Sequence, residues 1–128
     1  MEQARISPAL EDYLETIYNL HEACGAVRVT DVAEQMSISK PSVNRAMGAL
    51  KKQGLVDHEP YGLLALTPEG LRLARNVARR HSVILRFLRD VLKVDEDAAQ
   101  GEACAVEHAI SADTIDKLEN FLDSLENN

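Results

Sequence analysis

The segment Cys104-Ala-Val-Glu107-His108 sets a thiol, a carboxylate and an imidazole at i, i+3 and i+4, so that on a helix all three share one face. These are groups that a divalent transition ion accepts together, the thiolate adding a preference for softer ions. Two readings of the triad stand side by side: a cluster of metal ligands, or a half-buried cysteine beside an exposed Glu–His pair. Other candidates lie elsewhere in the chain. Asp12 and Glu15 stand at i, i+3 on an N-terminal helix next to its apolar face, and His81 falls in RRHSVIL, flanked by apolar positions. Two acids on an amphipathic helix are ordinarily solvated, and a single histidine in such a place is ordinarily packed in a core. Taken with the triad, however, the six side chains amount to carboxylates, imidazoles and one thiolate drawn from three helices, enough to close a site.

A second constellation is polar and basic. Ser39, Lys40, Pro41, Ser42, Asn44, Arg45, Lys51 and Lys52 cluster in and around one amphipathic helix, with Arg28 upstream of it. Arginine can read a guanine through paired hydrogen bonds, asparagine can read an adenine, and small hydroxyl residues reach phosphates. The plain alternative is a solvated helix face. A short hairpin following the helix argues for DNA instead, and Tyr61 at its turn is a candidate backbone contact.

These residues need elements to position them. Ser7-Pro8 predicts a helix with a serine cap and a first-position proline, ended by Gly25. A short helix capped by Thr30 and a helix capped by Ser39, with Val43, Ala46, Met47 and Leu50 inward, make a helix-turn-helix. LVDHE and LLALT around Pro60-Tyr61-Gly62 predict a two-stranded wing. Thr67-Pro68-Glu69-Gly70 opens a long helix expected to reach about Lys93. Asp95 starts another, interrupted or bent near Gly101 and carrying the triad through to Ile110. Ser111 caps the last, with Ile115, Leu118, Phe121, Leu122 and Leu125 on one face. The expected architecture is mainly α: a winged helix-turn-helix over residues 1–70 and a helical dimerisation and metal-binding region over 71–128.

Composition is consistent with this. The chain has 128 residues, 45% of them hydrophobic but only 4% aromatic, so its core must rest on Leu, Val, Ile and Ala. Two cysteines are too few for a disulfide framework, and neither a signal-peptide core nor a membrane-length apolar run is present, which points to the cytoplasm. The net charge of −7 argues against nucleic acid until it is mapped. Residues 95–128 carry −9, whereas residues 28–52 carry +3 around the proposed DNA face. The acidic tail by itself reads as a solubility feature.

The segments EDYLETIY (11–18), VTDVAEQMSISKPSVNRAMGALKKQGLV (29–56), LTPEG (66–70), RRHSVILRFL (79–88) and EACAVEHAIS (102–111) together resemble the diphtheria toxin repressor family of metalloregulators, closest to its short manganese-transport-regulator branch. The resemblance implies a homodimer that binds a palindromic double-stranded DNA operator and represses metal-uptake genes when metal is abundant. It also implies that Asp12, Glu15, His81, Cys104, Glu107 and His108 occupy the metal-site positions. The manganese branch usually has a carboxylate at the position of Cys104, and the iron branch has methionine at that of Asp12. Asp12 and Glu15 favour Mn²⁺ or Fe²⁺, while Cys104 makes Fe²⁺, Co²⁺ or Zn²⁺ more competitive. Leu85 and Gln100 replace ancillary-site ligands of the iron branch, so that second site is not expected, and no SH3-like domain is expected either. On this reading metal sets the spacing of two recognition helices, which must lie about 34 Å apart to enter successive major grooves. Two other functions remain open: a metal-independent winged-helix regulator answering to a small organic ligand, and, remotely, a small metallohydrolase with Glu107 as base.

Overall fold

The computed structural model describes residues 6–58 and 62–127 and divides into two compact units, 1–75 and 76–128, with the division falling inside one helix. The N-terminal unit begins with α1 (Pro8–Cys24), where Ser7 Oγ accepts from the Leu10 amide and Gly25, at φ 85°, closes the helix. A left-handed closing residue needs no β-carbon, which is why a glycine stands there. The serine caps of the later helices form as expected too: Ser39 Oγ accepts from the Ser42 amide at 3.3 Å, and Ser111 Oγ from the Thr114 amide at 3.1 Å.

The next elements depart from expectation. Val27–Arg28 form a short strand, β1, and α2 (Val29–Met36) starts directly after it, two residues earlier than a Thr30 cap would allow. The entry is held instead by Asp31, whose carboxylate accepts from the Arg28 amide at 2.8 Å. After α3 (Lys40–Lys52) come β2 (Val56–His58) and β3 (Leu63–Leu66). The wing pair is therefore joined by β1 into a three-stranded antiparallel sheet, order β1-β3-β2, with Val27 opposite Leu64 and Val56 opposite Leu66. The turn residues Pro60 and Tyr61 lie outside the described residues. Leu14, Ile17, Val27, Val32, Val43, Met47, Leu50, Val56 and Leu64 are buried together, so every element of this unit contributes to one core.

Helix α4 (Pro68–Arg86) is locked at its start. Thr67 Oγ1 donates to the Gly54 carbonyl at 2.7 Å and accepts from the Gly70 amide at 3.0 Å. Gly70 lies so close to the Leu55 backbone that a β-carbon there would stand 2.0 Å from the Leu55 carbonyl oxygen, which leaves room only for hydrogen. Farther on, α4 does not run to Lys93 in α geometry. It widens into a π segment at Phe87–Val91, and Lys93 ends it at φ 62°. Phe87, Leu88 and Val91 pack on the C-terminal core, while Leu92 is left exposed.

In the C-terminal unit α5 spans Glu96–Val106 and α6 Ala112–Glu126. Gly101 does not interrupt α5, which runs through it unbroken: an isolated helical glycine costs only about 1 kcal/mol. The helix stops at Val106, short of Ile110, by a tight turn in which the Ala109 amide donates to the Val106 carbonyl at 2.9 Å. Val83, Ile84, Ala103, Ile115 and Leu122 form the core. Phe121 and Leu125 do not join them; they are 49% and 45% exposed. The acids of α6 are partly used within the fold: Arg79 pairs with Asp116 and Glu119, and Arg86 with Asp123 and Glu126. Hydrogen bonds donated to these carboxylates hold both guanidinium groups above their ordinary pKa.

Candidate metal centre and DNA-binding face

In the N-terminal unit α3 presents Pro41, Asn44, Arg45 and Gly48 at i, i+3, i+4 and i+7, all exposed, with Val43, Ala46, Met47 and Leu50 on the buried side. Lys40, Lys51 and Lys52 are exposed at its ends, as is Arg28 on β1. Arg45 is pre-set at the base of this face, its Nη2 donating to Ser42 Oγ at 3.3 Å, while Ser42 also accepts from Ser39 Oγ at 2.9 Å. Gly48 was not singled out by residue chemistry. It lies on the same stripe with nothing within 4 Å of where a β-carbon would stand, leaving a gap in which a sugar-phosphate backbone could approach closely. Tyr61 lies outside the described residues.

On α1, Asp12 and Glu15 are both half-buried, neither fully solvated nor part of the apolar core. In the C-terminal unit α4, α5 and the turn after it bring four of the expected ligands together. His81 Nδ1 lies 2.7 Å from Glu107 Oε1, and His108 Nε2 lies 3.8 Å from Glu107 Oε2. Cys104 Sγ and a ring nitrogen of His108 lie within 4.8 Å of each other. Burial sorts the triad: Glu107 is wholly buried, His108 half-buried and Cys104 exposed. Glu107 can be buried because it caps α5, its amide bonded to the Ala103 carbonyl and its side chain turned inward beside His81. Its Oε2 has no hydrogen-bond partner among the described residues.

A buried carboxylate oxygen without a hydrogen bond is costly, because desolvation is not repaid. A cation repays it, and the neighbouring imidazoles and thiol are ligand types that divalent ions accept. The donor set of this unit therefore fits a divalent metal. His81 makes one further contact, through Nε2 to Gln100 Oε1 at 2.9 Å. Residue chemistry alone assigned Gln100 no part in such a centre.

Comparison with known proteins agrees with both faces. Residues 5–64 match the family model described as the iron dependent repressor N-terminal DNA binding domain, and residues 67–128 match the iron dependent repressor metal binding and dimerisation domain. The HTH-type transcriptional regulator MntR of Lysinibacillus sphaericus is 34% identical over 122 residues, covering 95% of this chain and 87% of that protein. Among solved structures, the manganese regulator SloR superposes with a TM-score of 0.81 at 33% identity, covering 92% of this chain and 55% of that one. A manganese-dependent transcriptional repressor in complex with manganese gives 0.81 at 31% identity, covering 89% of this chain and 52% of its own. The chain thus spans little more than half the length of those crystallised relatives. It belongs to the iron-dependent repressor family, that of the diphtheria toxin repressor, in the branch of the manganese-responsive helix-turn-helix transcriptional regulators.

Proposed function

We propose that the protein is a cytoplasmic homodimeric repressor of metal-uptake genes that binds a palindromic operator when Mn²⁺ or Fe²⁺ is abundant. Residues 1–70 form its DNA-binding domain and residues 71–128 its dimerisation and metal-binding domain. The observation that carries this reading is the buried Glu107 carboxylate, one oxygen of which lacks a hydrogen bond while the other meets His81. In the proposal His81, Cys104, Glu107 and His108 hold the metal with Asp12 and Glu15 of α1, and a bound ion would supply positive charge beside the buried Glu107 carboxylate. The MntR relatives and the repressor solved with manganese support Mn²⁺ first, and the match to the iron dependent repressor family models supports Fe²⁺ beside it. The exposed Cys104 thiol supports Co²⁺ and Zn²⁺ as competitors.

DNA is met by α3 through Ser39, Lys40, Pro41, Ser42, Asn44, Arg45, Lys51 and Lys52, with Arg28 and Tyr61 on the flanks. Metal acts by fixing the spacing of the two recognition helices, shifting the dimer toward its DNA-competent state. The role is regulatory rather than catalytic, since every candidate ligand is committed to coordination. Glu107→Gln tests it: the amide keeps the side chain's volume but not its charge. Calorimetric titration with Mn²⁺ is expected to show about a 30-fold or greater loss of affinity, with the melting temperature of the metal-free protein unchanged or raised. Undiminished Mn²⁺ affinity would exclude Glu107 as a ligand and overturn the proposal.

A further inference from the structure

His81 is held from both sides of its ring within the C-terminal unit: Nδ1 faces Glu107 Oε1, and Nε2 faces Gln100 Oε1. Which end of the Gln100 amide meets the imidazole is settled by a third contact. Gln100 Nε2 donates to Glu96 Oε2 at 3.1 Å, and only the NH₂ end of an amide can donate to a carboxylate. The oxygen end is therefore the one turned toward His81. An amide oxygen only accepts, so the hydrogen in that contact belongs to His81 Nε2. The 2.7 Å contact of Nδ1 with Glu107 Oε1 needs a hydrogen as well, and that is the one a bound ion would displace. With Nε2 keeping its hydrogen against Gln100, the lone pair offered to an ion is on Nδ1, the nitrogen that faces the buried Glu107.

The relay is built from short-range parts. Glu96 and Gln100 stand at i, i+4 on α5, so the helix itself holds them in register. Gln100 precedes Cys104 by the same interval, placing it one turn from the triad on the same helix. Glu96 also accepts from Arg89 Nη1 at 3.4 Å, which holds its carboxylate near the helix. A histidine that ligates through one nitrogen commonly donates its other N–H to a neighbouring acceptor, which fixes the tautomer and the plane of the ring.

We infer that Gln100, oriented by Glu96, is a positioning residue of the metal centre: it holds the His81 hydrogen on Nε2 and presents the Nδ1 lone pair for coordination. This rests on His81 and Glu107 being ligands, as proposed above. It also gives Gln100 a role at a position where the iron branch is expected to carry an ancillary ligand: an acceptor that holds a histidine in place of one that binds a second ion.

Two substitutions at this exposed position separate the possibilities. Gln100→Leu keeps the bulk and removes the acceptor; Gln100→Glu keeps the acceptor. Zn²⁺, which is diamagnetic, serves as the probe, with affinity measured by competition against a chelating dye and His81 followed by ring ¹⁵N–¹H correlation in the ¹⁵N-labelled full-length chain. The wild type and Gln100→Glu are expected to show His81 metallated at Nδ1 with a protected Nε2–H. Gln100→Leu is expected to lose that protection and bind Zn²⁺ about 10- to 100-fold more weakly, with Gln100→Glu restoring affinity to within about threefold. The inference is overturned if Gln100→Leu binds Zn²⁺ as the wild type does, or if the Zn²⁺-loaded wild type carries its His81 hydrogen on Nδ1. His81→Ala provides the control. If it too binds Zn²⁺ normally, the ligand assignment itself has failed; if it abolishes binding while Gln100→Leu does not, only the role of Gln100 has.

Discussion

The N-terminal unit leaves none of its described large apolar side chains exposed: they are buried in, or packed against, a core to which three helices, three strands and the start of α4 contribute. The C-terminal unit does not. Its core is smaller, and Leu92, Val106, Phe121 and Leu125, the large hydrophobic residues described as exposed, all belong to it. Glu107, the buried polar or charged residue among the described residues, is in this unit as well. One unit is thus complete as a folded object and carries basic groups on its surface, in Arg45 and the lysines of α3. The other is incomplete twice over, with an apolar face that a partner would cover and a buried carboxylate that a cation would satisfy. Incompleteness of this kind suits a region whose state depends on what it binds, whereas a DNA-reading face must keep its shape before DNA arrives.

The most severe way to break the contrast is to damage the complete unit. Gly70→Ala would drive a methyl group into the Leu55 carbonyl, a backbone atom that cannot step aside. It is expected to destabilise the protein by about 3 kcal/mol, at the upper end of overpacking costs, as read from chemical denaturation. A loss below ~0.5 kcal/mol would show that α4 does not pack there so tightly. Slightly smaller is the effect expected from completing or removing the apolar face of the other unit. Phe121→Ala with Leu125→Ala is expected to weaken dimerisation about 100-fold, seen by sedimentation equilibrium, without lowering the monomer's melting temperature, because little core packing is lost. An unchanged dimer would move the interface elsewhere.

The least effect is expected at Glu69, in the first turn of α4. Its hydrogen bond to Arg72 holds its carboxyl below the ordinary range, so the pair is intact at neutral pH and is lost only as the pH falls through that lowered value. Both groups are solvent-exposed, so Glu69→Gln is expected to shift the melting temperature at pH 7 by less than about 3 °C. What difference there is should vanish in acid; a difference that grew on acidification would contradict the pairing.

How much of this could be read from the residues follows the range of each interaction. Caps at Ser7, Ser39 and Ser111 and the inward stripe of α3 are local, set within four or five positions, and they stand as expected. Strand β1 is two residues long, too short for any periodicity, and exists because Leu63 and Leu64 of β3 pair with it. Gly101 reads as a breaker, yet a glycine in open space is merely a weak helix former. The apolar spacing of α6 shows that Phe121 and Leu125 share a face with Ile115 but not what covers it. Within the candidate centre, Cys104, Glu107 and His108 were legible from type and spacing, and His81 became a candidate only in their company. Burial of Glu107 and the contact of Gln100 with His81 arise from packing between α4 and α5, which no local pattern encodes.

The central claim, that metal controls DNA binding, is tested most directly by anaerobic fluorescence-anisotropy titration of the full chain. The probe is a set of palindromic duplexes selected from a random-sequence library in the presence of Mn²⁺. Affinity is expected to rise about 30-fold or more on adding Mn²⁺ or Fe²⁺ and to fall back with excess chelator. Equal affinity with metal and with chelator would contradict the account and favour a regulator that answers to a small organic ligand instead.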